Sequence, residues 1–419
     1  MTDSISLEPN ALRLRAADAI AECRLIATMS EETGRTTRHY LTQPVAEVHA
    51  RLRARMEALG MAVTVDAVGN LRGVWRPAGV SGKLLVLGSH IDTVPDAGAF
   101  DGVLGVVLGL EWVRLAQELG LDRPIEVIAF SEEEGVRYGV PFLGSRAVTG
   151  TFDLSMLAYE DAEGVRMDTA IRAFGLDPAG ISAARIDDEV LGFVEIHIEQ
   201  GPILEAEGLS LAVVEGIAGQ SRLGFRFTGH ANHAGTTPMH LRRDALAAAA
   251  EWMLAVETAA REVEGLVATA GKILVDPNAT NVIPGVVEVS LDVRHIENRV
   301  RSQFVKEFQR TASTIAHKRG VEVEWVEKME QETVPMDRVL SDDLLAAVAA
   351  AGFPERKMPS GAGHDAMVMA ARAPAAMLFL RSPGGISHHP DESVLEEDVE
   401  AALTAGVFFL RRMSGPMKL

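Results

Sequence analysis

Residues 83–120, KLLVLGSHIDTVPDAGAFDGVLGVVLGLEWVRLAQELG, combine an apolar run, a polar tip and a long helical pattern. The run at 83–90 is typical of a buried parallel strand, and residues 101–120 have the apolar spacing of a helix. An apolar run with a polar end recurs in IEVIAFSEEEG (125–135) and in GFVEIHIEQG (192–201). This repetition predicts an α/β fold with an open sheet flanked by helices, whose functional site lies at the carboxyl ends of the strands.

A different pattern begins near Gly216. The segment SRLGFRFTG (221–229) alternates apolar and polar residues, as a strand with one solvated side does. The patterns that follow are a helix at 242–262, a pair of strands at 267–276 and 286–295, a helix at 297–320 and a strand at 321–329. They predict an inserted βαββαβ, ferredoxin-like domain, because helix and strand patterns of the first kind resume after Leu340. The predicted bounds are 1–215 and 332–419 for the α/β domain with its mixed open sheet, and 216–331 for the insert.

The 419-residue chain is long enough for two cores, and its net charge of −19 argues against a nucleic-acid or anionic-membrane partner. An anionic substrate would need a cationic side chain in the site. The single cysteine, Cys23, cannot form an internal disulfide, and the first ten residues, MTDSISLEPN, lack the features of a signal peptide. No apolar run approaches the roughly 20 residues that span a bilayer. The sequence predicts a cytoplasmic protein with no membrane partner.

The polar tip of the first predicted strand carries His90 and Asp92, which project to one face of the chain. Asp92 is expected to orient His90, because a carboxylate on the far ring nitrogen fixes the tautomer of a metal-binding imidazole. The same pattern is typical of a buried histidine that is hydrogen-bonded to a neighbouring acid. Asp101 precedes a predicted helix, so it is either a ligand or an ordinary helix N-cap.

The other polar tips carry acids and histidines that also have two interpretations. The segment SEEEG (131–135) places three carboxylates together, which either repel one another until a cation or protons are supplied, or form a solvated acidic loop. His197 lies within an apolar strand pattern, where a histidine is often a core residue. In ISHHPDE (386–392), either His388 or His389 could bind a metal, or neither.

All of these groups lie at the polar ends of predicted strands, where the sites of α/β enzymes form. Their imidazoles and carboxylates, without thiolates, suit zinc, manganese, cobalt or nickel. The number of candidate ligands exceeds what one catalytic ion with an open coordination position requires. We therefore expect a site for two divalent metal ions.

Eight ordered motifs resemble those of the amidase, hydantoinase/carbamoylase family. This family includes N-carbamoyl-L-amino acid hydrolases, β-ureidopropionases and allantoate amidohydrolases, and it belongs to the M20-type metallopeptidases. The motifs cover nearly the whole chain: GSHIDTVPDAGAFDG (88–102), EEGVRY (133–138), EIHIEQGP (195–202), GHANHAGTTPM (229–239), TNVIPG (280–285), DVR (292–294), SGAGHDA (360–366) and SHHPDE (387–392). The resemblance implies a di-metal aminopeptidase-like catalytic domain and an insert that acts as a lid and as the interface of a homodimer.

The resemblance also implies roles for individual residues. The implied metal ligands are His90 and His197 for one ion, Glu134 and His388 for the other, and Asp101 as a bridge between them. The Ser-His-x-Pro-x-Glu pattern assigns the ligand role to His388. Many relatives carry Asn at the x position, where this chain departs from the family with His389. Glu133 would be the general base, and His233, contributed by the partner subunit, would stabilise the oxyanion. The implied substrate contacts are Gln200, His233, Asn281, Arg294 and Gly363.

The predicted strand at 286–295 places Asp292 and Arg294 on the same face. The planar fork of Arg294 suits a bidentate bond to a substrate carboxylate, which would supply the cation that the acidic chain lacks. From the residues alone, a surface salt bridge with Asp292 is the favoured interpretation. The resemblance reverses that preference.

The activity that the resemblance implies is hydrolysis of the ureido bond of an N-carbamoyl-L-amino acid or of a related small ureido acid such as allantoate, with release of ammonia and carbon dioxide. One alternative is an aminoacylase or dipeptidase of the same metallopeptidase group. Another is a non-catalytic binding protein that retained the fold. The motifs do not separate allantoate, N-carbamoyl-β-alanine and N-carbamoyl-L-α-amino acids, because each offers a carboxylate and a ureido group.

Overall fold

The computed structural model describes residues 10–413, so the first nine residues of the N-terminal segment considered above lie outside the described residues. The chain divides into two compact units, Met1–Glu215 with Met336–Leu419, and Gly216–Pro335. The second unit extends to Pro335, and its last two residues, Val334 and Pro335, pair antiparallel with Ile217 and Gly216 at its start.

Helices and strands alternate through most of the described chain. The helices are α1 (Ala11–Ala27), α2 (Gln43–Ala58), α3 (Val103–Glu118), α4 (Leu143–Thr149), α5 (Met167–Ala173), α6 (Ile203–Glu207), α7 (Ala245–Arg261), α8 (Asn298–Arg319), α9 (Arg338–Ala350), α10 (Asp365–Met369) and α11 (Glu396–Met413). The strands are β1 (Ala62–Val65), β2 (Leu71–Trp75), β3 (Leu84–His90), β4 (Ile125–Phe130), β5 (Val190–Ile198), β6 (Leu211–Ile217), β7 (Gly219–Thr228), β8 (Asn232–His233), β9 (Val267–Thr269), β10 (Ile273–Asp276), β11 (Val282–Ile283), β12 (Val286–His295), β13 (Glu322–Gln331), β14 (Val334–Pro335), β15 (Lys357–Ser360) and β16 (Ala375–Leu380). None of the helices within residues 10–413 is both long and apolar enough to cross a membrane.

The strands of the first unit belong to a mixed sheet with the order β1-β2-β4-β3-β5-β16-β6-β14, in which β15 also pairs with β6. Its last strand, β14, is formed by the final two residues of the second unit. The four adjacent strands β4, β3, β5 and β16 are parallel, and the pairs on either side of them are antiparallel. Every residue of β3 and of β4 is buried, which happens when both faces of a sheet are covered. The mixed α/β sheet that the apolar runs predict is confirmed.

The main core of the first unit joins the parallel strands to the helices around them. Leu85 of β3, Val127 of β4 and Ile196 of β5 belong to the same buried apolar cluster as Trp112 of α3 and Phe409 of α11. The rings of Trp112 and Phe409 are 5.6 Å apart and both side chains are fully buried. This continuous apolar packing holds the ends of the parallel strands in fixed positions, because protein interiors are close-packed.

The second unit has its own antiparallel sheet, ordered β10-β12-β7-β13 with β9 also paired to β12, and its own core. Leu223, Phe225 and Phe227 are buried on alternate positions of β7, as its apolar pattern predicts. The ring of Trp252 on α7 packs 4.3 Å from that of Phe225. The predicted strand at 267–276 consists of two strands, β9 and β10, separated by residues 270–272.

Candidate metal centre

The candidate ligands lie where four neighbouring strands end. His90 is the last residue of β3, Glu133 and Glu134 follow β4, His197 is the penultimate residue of β5, and His388 follows β16. Because β4, β3, β5 and β16 are adjacent and parallel, their carboxyl ends meet at one edge of the sheet. The fold therefore brings these five residues to the same place.

Two imidazole rings are oriented by backbone carbonyls. Nδ1 of His90 lies 3.0 Å from the carbonyl oxygen of Asp92, and Nδ1 of His197 lies 2.9 Å from that of Ile198. A carbonyl oxygen only accepts, so Nδ1 carries a hydrogen in both rings, and in the neutral form of each ring Nε2 has the lone pair. The two Nε2 atoms face the same oxygen, Oδ1 of Asp101, at 3.5 and 3.2 Å.

The second oxygen of Asp101 faces a different set of side chains. Nε2 of His388 lies 3.1 Å from Oδ2, and Oε1 of Glu134 lies 3.4 Å from that same nitrogen. The amide of Gln200 donates to Oδ2 at 3.1 Å. The carboxylate of Asp101 thus separates the histidine pair His90 and His197 from the pair His388 and Glu134.

The residues present fit divalent metal ions. Among residues 10–413, Oδ1 of Asp101 and Nε2 of His197 are buried and have no hydrogen-bond partner, although they lie 3.2 Å apart. A buried polar atom without a partner is costly, and a cation between the two atoms would satisfy both. In each of three groups the potential ligand atoms lie within 4.8 Å of one another: His90 with Asp101 and His197, His90 with Glu133 and Glu134, and Asp101 with Glu134 and His388. Imidazole and carboxylate ligands without thiolate suit zinc and related ions.

Asp92 acts differently from what its position in the sequence predicts. Its Oδ1 is 3.7 Å from Nδ1 of His90, which is too long for a hydrogen bond, and the ring is held by the Asp92 carbonyl oxygen instead. The carboxylate accepts the backbone amides of Glu133 and Glu134, each at 3.0 Å. Asp92 therefore orients the histidine through its main chain and the acids through its side chain.

The protein without ions crowds acids and imidazoles in a buried space. Burial raises the pKa of Glu133 well above its usual range, and burial together with the charge of Asp101 raises the pKa of Glu134 to about 7. Burial opposes the ionisation of Asp101, but its contacts with the rings of His197, His388 and His90 hold its pKa well below the usual range. Protons thus compensate the acids where a divalent cation would otherwise do so.

Left-handed backbone conformations lie beside the centre. The φ angles are 53° for Glu132, 59° for Gln200 and 56° for His388. Residues other than glycine are sterically disfavoured in this left-handed conformation. Gly102, with a φ of 68°, allows the closest approach: a Cβ atom there would lie within 2.5 Å of three atoms of the His90 ring. The chain therefore turns sharply next to Asp101 without displacing the histidine.

The contacts bear on two interpretations that the sequence leaves open. Asp101 does not cap a helix, since the N-cap position of α3 is Gly102 and has no side-chain cap. His389 lies 3.6 Å from Asp391 and accepts its backbone amide, while His388 lies among the potential ligands.

Several buried polar residues next to the centre have no role predicted from the sequence. Glu195 is fully buried and accepts from the hydroxyl of Ser89 at 2.9 Å and from the amide of Ala366 at 2.8 Å. The ring of His364 lies 4.5 Å from that of His197, and these two histidines with Glu195 form a further group of potential ligand atoms. The sequence contains a signal for His364, because this residue lies in the SGAGHDA motif beside Gly363.

The remaining predicted site residues are distributed over both units. Gly363 lies in the first unit, just before α10. In the second unit, His233 pairs with Val282 and the amide of Ala234 donates to the carbonyl oxygen of Asn281, so His233 and Asn281 share one loop cluster. Arg294 on β12 forms two bonds with Asp292, from Nε at 2.8 Å and from a terminal nitrogen at 3.1 Å.

The chain is similar in sequence and in fold to known proteins. Residues 86–412 match the model of Peptidase family M20/M25/M40. The chain is 39% identical to the N-carbamoyl-L-amino acid amidohydrolase of Geobacillus stearothermophilus, over 88% of this chain and 91% of that protein. It is 37% identical to a probable allantoate deiminase of Oryza sativa subsp. japonica, over 94% of this chain and 87% of that protein. The crystal structure of an amidase of the hydantoinase/carbamoylase family from Burkholderia multivorans matches with a TM-score of 0.89 and 31% identity, over 96% of this chain and 98% of that one.

Proposed function

Because the chain belongs to peptidase family M20/M25/M40, we propose that it is a metal-dependent hydrolase of ureido acids. Its relatives act on carbon–nitrogen bonds other than peptide bonds, and this chain is a hydrolase of that class. The substrate is an N-carbamoyl-L-amino acid or a related acid such as allantoate, and one water converts the ureido group into an amine, ammonia and carbon dioxide. The proposal depends mainly on one observation: the two oxygens of Asp101 face separate pairs of potential ligands.

In this proposal two divalent ions are held by five residues. His90 and His197 hold one ion, Glu134 and His388 hold the other, and Asp101 bridges them. The distances of 3.1 to 3.5 Å from the Asp101 oxygens to the three ring nitrogens support this division. Zinc, manganese, cobalt or nickel ions supply Lewis acidity, which makes a ureido carbonyl more electrophilic and water more acidic.

Glu133 is the proposed general base. It is buried, and the carboxylate of Asp92 fixes its backbone amide at the tip of β4. Its carboxylate takes a proton from the attacking water and delivers it to the leaving nitrogen, which contributes about 10²–10⁴-fold to the rate of such reactions. Burial raises the pKa of this carboxyl, which makes its ionised form a stronger base for the proton of the attacking water.

Substrate contacts are proposed for the polar side chains that hold no ion. Among residues 10–413, Oε1 of Gln200 is buried without a hydrogen-bond partner, and the N–H groups of a ureido substrate are donors that fit it. Arg294 would bind the substrate carboxylate through its planar fork. His233, Asn281 and Gly363 complete the proposed contacts, and His233 would stabilise the oxyanion.

The decisive experiment is an ammonia-release assay on the metal-free protein, reloaded with each of zinc, manganese, cobalt and nickel. Allantoate, N-carbamoyl-β-alanine and N-carbamoyl-L-amino acids are the test substrates, and N-acetyl amino acids and dipeptides represent the aminoacylase and dipeptidase alternative. We expect no ammonia from the chelated protein and stoichiometric ammonia and amine from at least one ureido acid after reloading. Cleavage of dipeptides without any ammonia release would contradict the proposal, and binding without turnover would support the non-catalytic alternative.

A homodimer through the second unit, in which His233 completes the partner's site, is also part of the proposal. It rests on the family resemblance and is tested by mixing two inactive variants, Glu133→Gln and His233→Ala, under conditions of subunit exchange. If His233 acts in the partner's site, about a quarter of the wild-type activity returns, because half of the dimers are mixed and each mixed dimer has one intact site. No recovery in a confirmed mixed dimer would place His233 in its own subunit's site.

A further inference from the structure

A buried carboxylate links the two segments that meet at Asp101. Glu392 is 5% exposed, and its Oε1 accepts the backbone amides of Phe100 at 2.9 Å and of Asp101 at 3.0 Å. Its Oε2 accepts the hydroxyl of Ser387 at 3.1 Å. One side chain thus connects the turn before α3 with the loop that carries His388, although these segments are almost 300 residues apart in the sequence.

The loop at 387–392 depends on this link for its shape. The amide of Glu392 donates to the carbonyl oxygen of His389, which closes the loop on itself. His388 lies within it at a φ of 56°, a sterically strained conformation that persists only where neighbouring contacts impose it. The bond from Ser387 to Glu392 is such a contact, and it is adjacent to the strained residue.

The segment before α3, at the other end of this link, requires glycine at position 98. A Cβ atom at residue 98 would lie within 2.5 Å of three atoms of the Glu392 side chain. Only glycine at position 98 therefore lets the carboxylate reach the amides of Phe100 and Asp101. The two hydrogen bonds and this close approach are separate contacts of the segment 98–101, and they define the same position for the carboxylate.

Glu392 is not itself among the groups of potential ligand atoms described above, and donors engage both of its oxygens. We propose that Glu392 is a positioning residue, which sets the spacing between Asp101 and His388 and thereby the affinity of the centre for its divalent ions. This inference rests on the proposed metal roles of Asp101 and His388. The distance that Glu392 controls is the 3.1 Å between Oδ2 of Asp101 and Nε2 of His388.

Two conservative substitutions separate positioning from charge. In Glu392→Gln the amide oxygen can still accept both backbone amides, and the amide nitrogen can donate to Ser387, but the negative charge is lost. In Glu392→Asp the charge remains, but the carboxylate is withdrawn by one methylene group and cannot reach all three donors. Positioning predicts that the Gln variant resembles the wild type and the Asp variant resembles Glu392→Ala, whereas a purely electrostatic role predicts the reverse.

The measurement is the affinity for Zn²⁺ alone, from competition with a chromophoric chelator, together with the number of ions retained after dialysis. Removing an outer partner of a ligand typically lowers metal affinity about 10–100-fold, and we expect a loss of this size for the Ala and Asp variants. Asp391→Ala is the matched control, because this neighbouring acid has a 78% exposed side chain and lies beside His389. The control and the Gln variant are expected to bind zinc as the wild type does.

Thermal unfolding of the zinc-free variants shows whether each one is folded, and if the Ala variant does not fold, the Gln and Asp variants carry the comparison. Wild-type zinc affinity in a folded Asp variant would overturn the proposal, as would a Gln variant that binds as weakly as the Asp variant. A wild-type protein that binds two ions but hydrolyses no ureido acid would end the proposed function and leave this comparison intact. A wild-type protein that binds no zinc would end both.

Discussion

Oδ1 of Asp92 accepts the backbone amide of Glu133 at 3.0 Å, which ties the tip of β3 to the tip of β4. Oδ2 accepts the amide of Glu134 at the same distance, so both oxygens of this buried carboxylate are used by the main chain. The positions of the proposed base and of one proposed ligand therefore depend on an acid that lies about 40 residues earlier in the chain.

Asp92→Asn is expected to lower turnover about 10–100-fold. An asparagine offers one acceptor oxygen in place of two, so its NH₂ group would face one of the two amides and displace the Glu133–Glu134 segment. The measurement is kcat for the best ureido substrate, together with the number of bound ions. Asp96→Asn is the control, because Asp96 is partly exposed and its φ of 55° is one that asparagine tolerates. Equal activity of both variants would contradict this role for Asp92.

Glu133→Gln is expected to reduce kcat by about 10²–10⁴-fold, because an amide cannot accept and return the proton that the proposed mechanism moves. Its similar volume should leave folding and zinc stoichiometry unchanged. Steady-state ammonia release and metal analysis are measured on the same preparation. The control is Glu163→Gln, an exposed acid in the same unit. If turnover survived in Glu133→Gln, another residue would have to be the base.

Arg294→Ala is expected to raise KM about 10–100-fold for substrates with a free carboxylate, because charged hydrogen bonds contribute about 1.5–3 kcal/mol. Arg222→Ala is a matched control, since Arg222 also contacts Asp292, at 3.0 Å, and has a 51% exposed side chain. Each substitution removes a cationic side chain that contacts Asp292, but only Arg294 is proposed to bind the substrate. Parallel assays with the carboxamide analogue of the substrate should show no difference between the variants. An equal rise in KM for both would indicate a structural effect.

His49 is expected to make the folded state less stable in mild acid. Burial lowers its pKa to about 4, whereas the residue in an unfolded chain titrates near 6.5. Between these values the unfolded chain binds a proton that the folded chain does not, so the free energy of unfolding falls as the pH falls. The contribution of this residue is about 1.4 kcal/mol per pH unit in that window and is independent of pH above it.

The measurement for His49 is denaturant unfolding of the metal-free protein at about pH 5 and about pH 7. His49→Phe should lose that part of the pH dependence and keep the ring contact with Phe174, which lies 5.7 Å away in the wild type. His240→Gln, an exposed histidine, is the control and should leave the slope unchanged. A wild-type slope in His49→Phe would contradict the assignment.

Much of the fold is readable from the sequence because burial leaves a periodic pattern. The run at 83–90 and the helical pattern at 101–120 correspond to β3 and α3, with ends shifted by one or two residues. The predicted strand at 267–276 was wrong in one respect, since it is interrupted at residues 270–272. Short irregular links of this kind have no apolar period and are therefore not visible in the pattern.

Most residues of the candidate centre lie at or after the ends of buried strands, and strand ends are encoded locally. The contacts that organise them are not encoded in this way. The Asp92 carboxylate binds two amides of another strand tip, and Glu392 binds amides almost 300 residues away. Neither contact has a sequence spacing that could predict it. The donor in each case is a backbone amide, which residues of almost any type can provide.

The sequence by itself determined the α/β class, the inserted antiparallel unit and the acids and histidines available as ligands, because residue type and apolar period are local properties. Only the tertiary structure decided that Asp101 faces His197 with one oxygen and His388 with the other. It also decided that Asp92 holds His90 by its carbonyl oxygen and the two glutamates by its carboxylate. The physical reason is that these partners become neighbours only when parallel strands from distant parts of the chain are aligned in one sheet, where their ends meet.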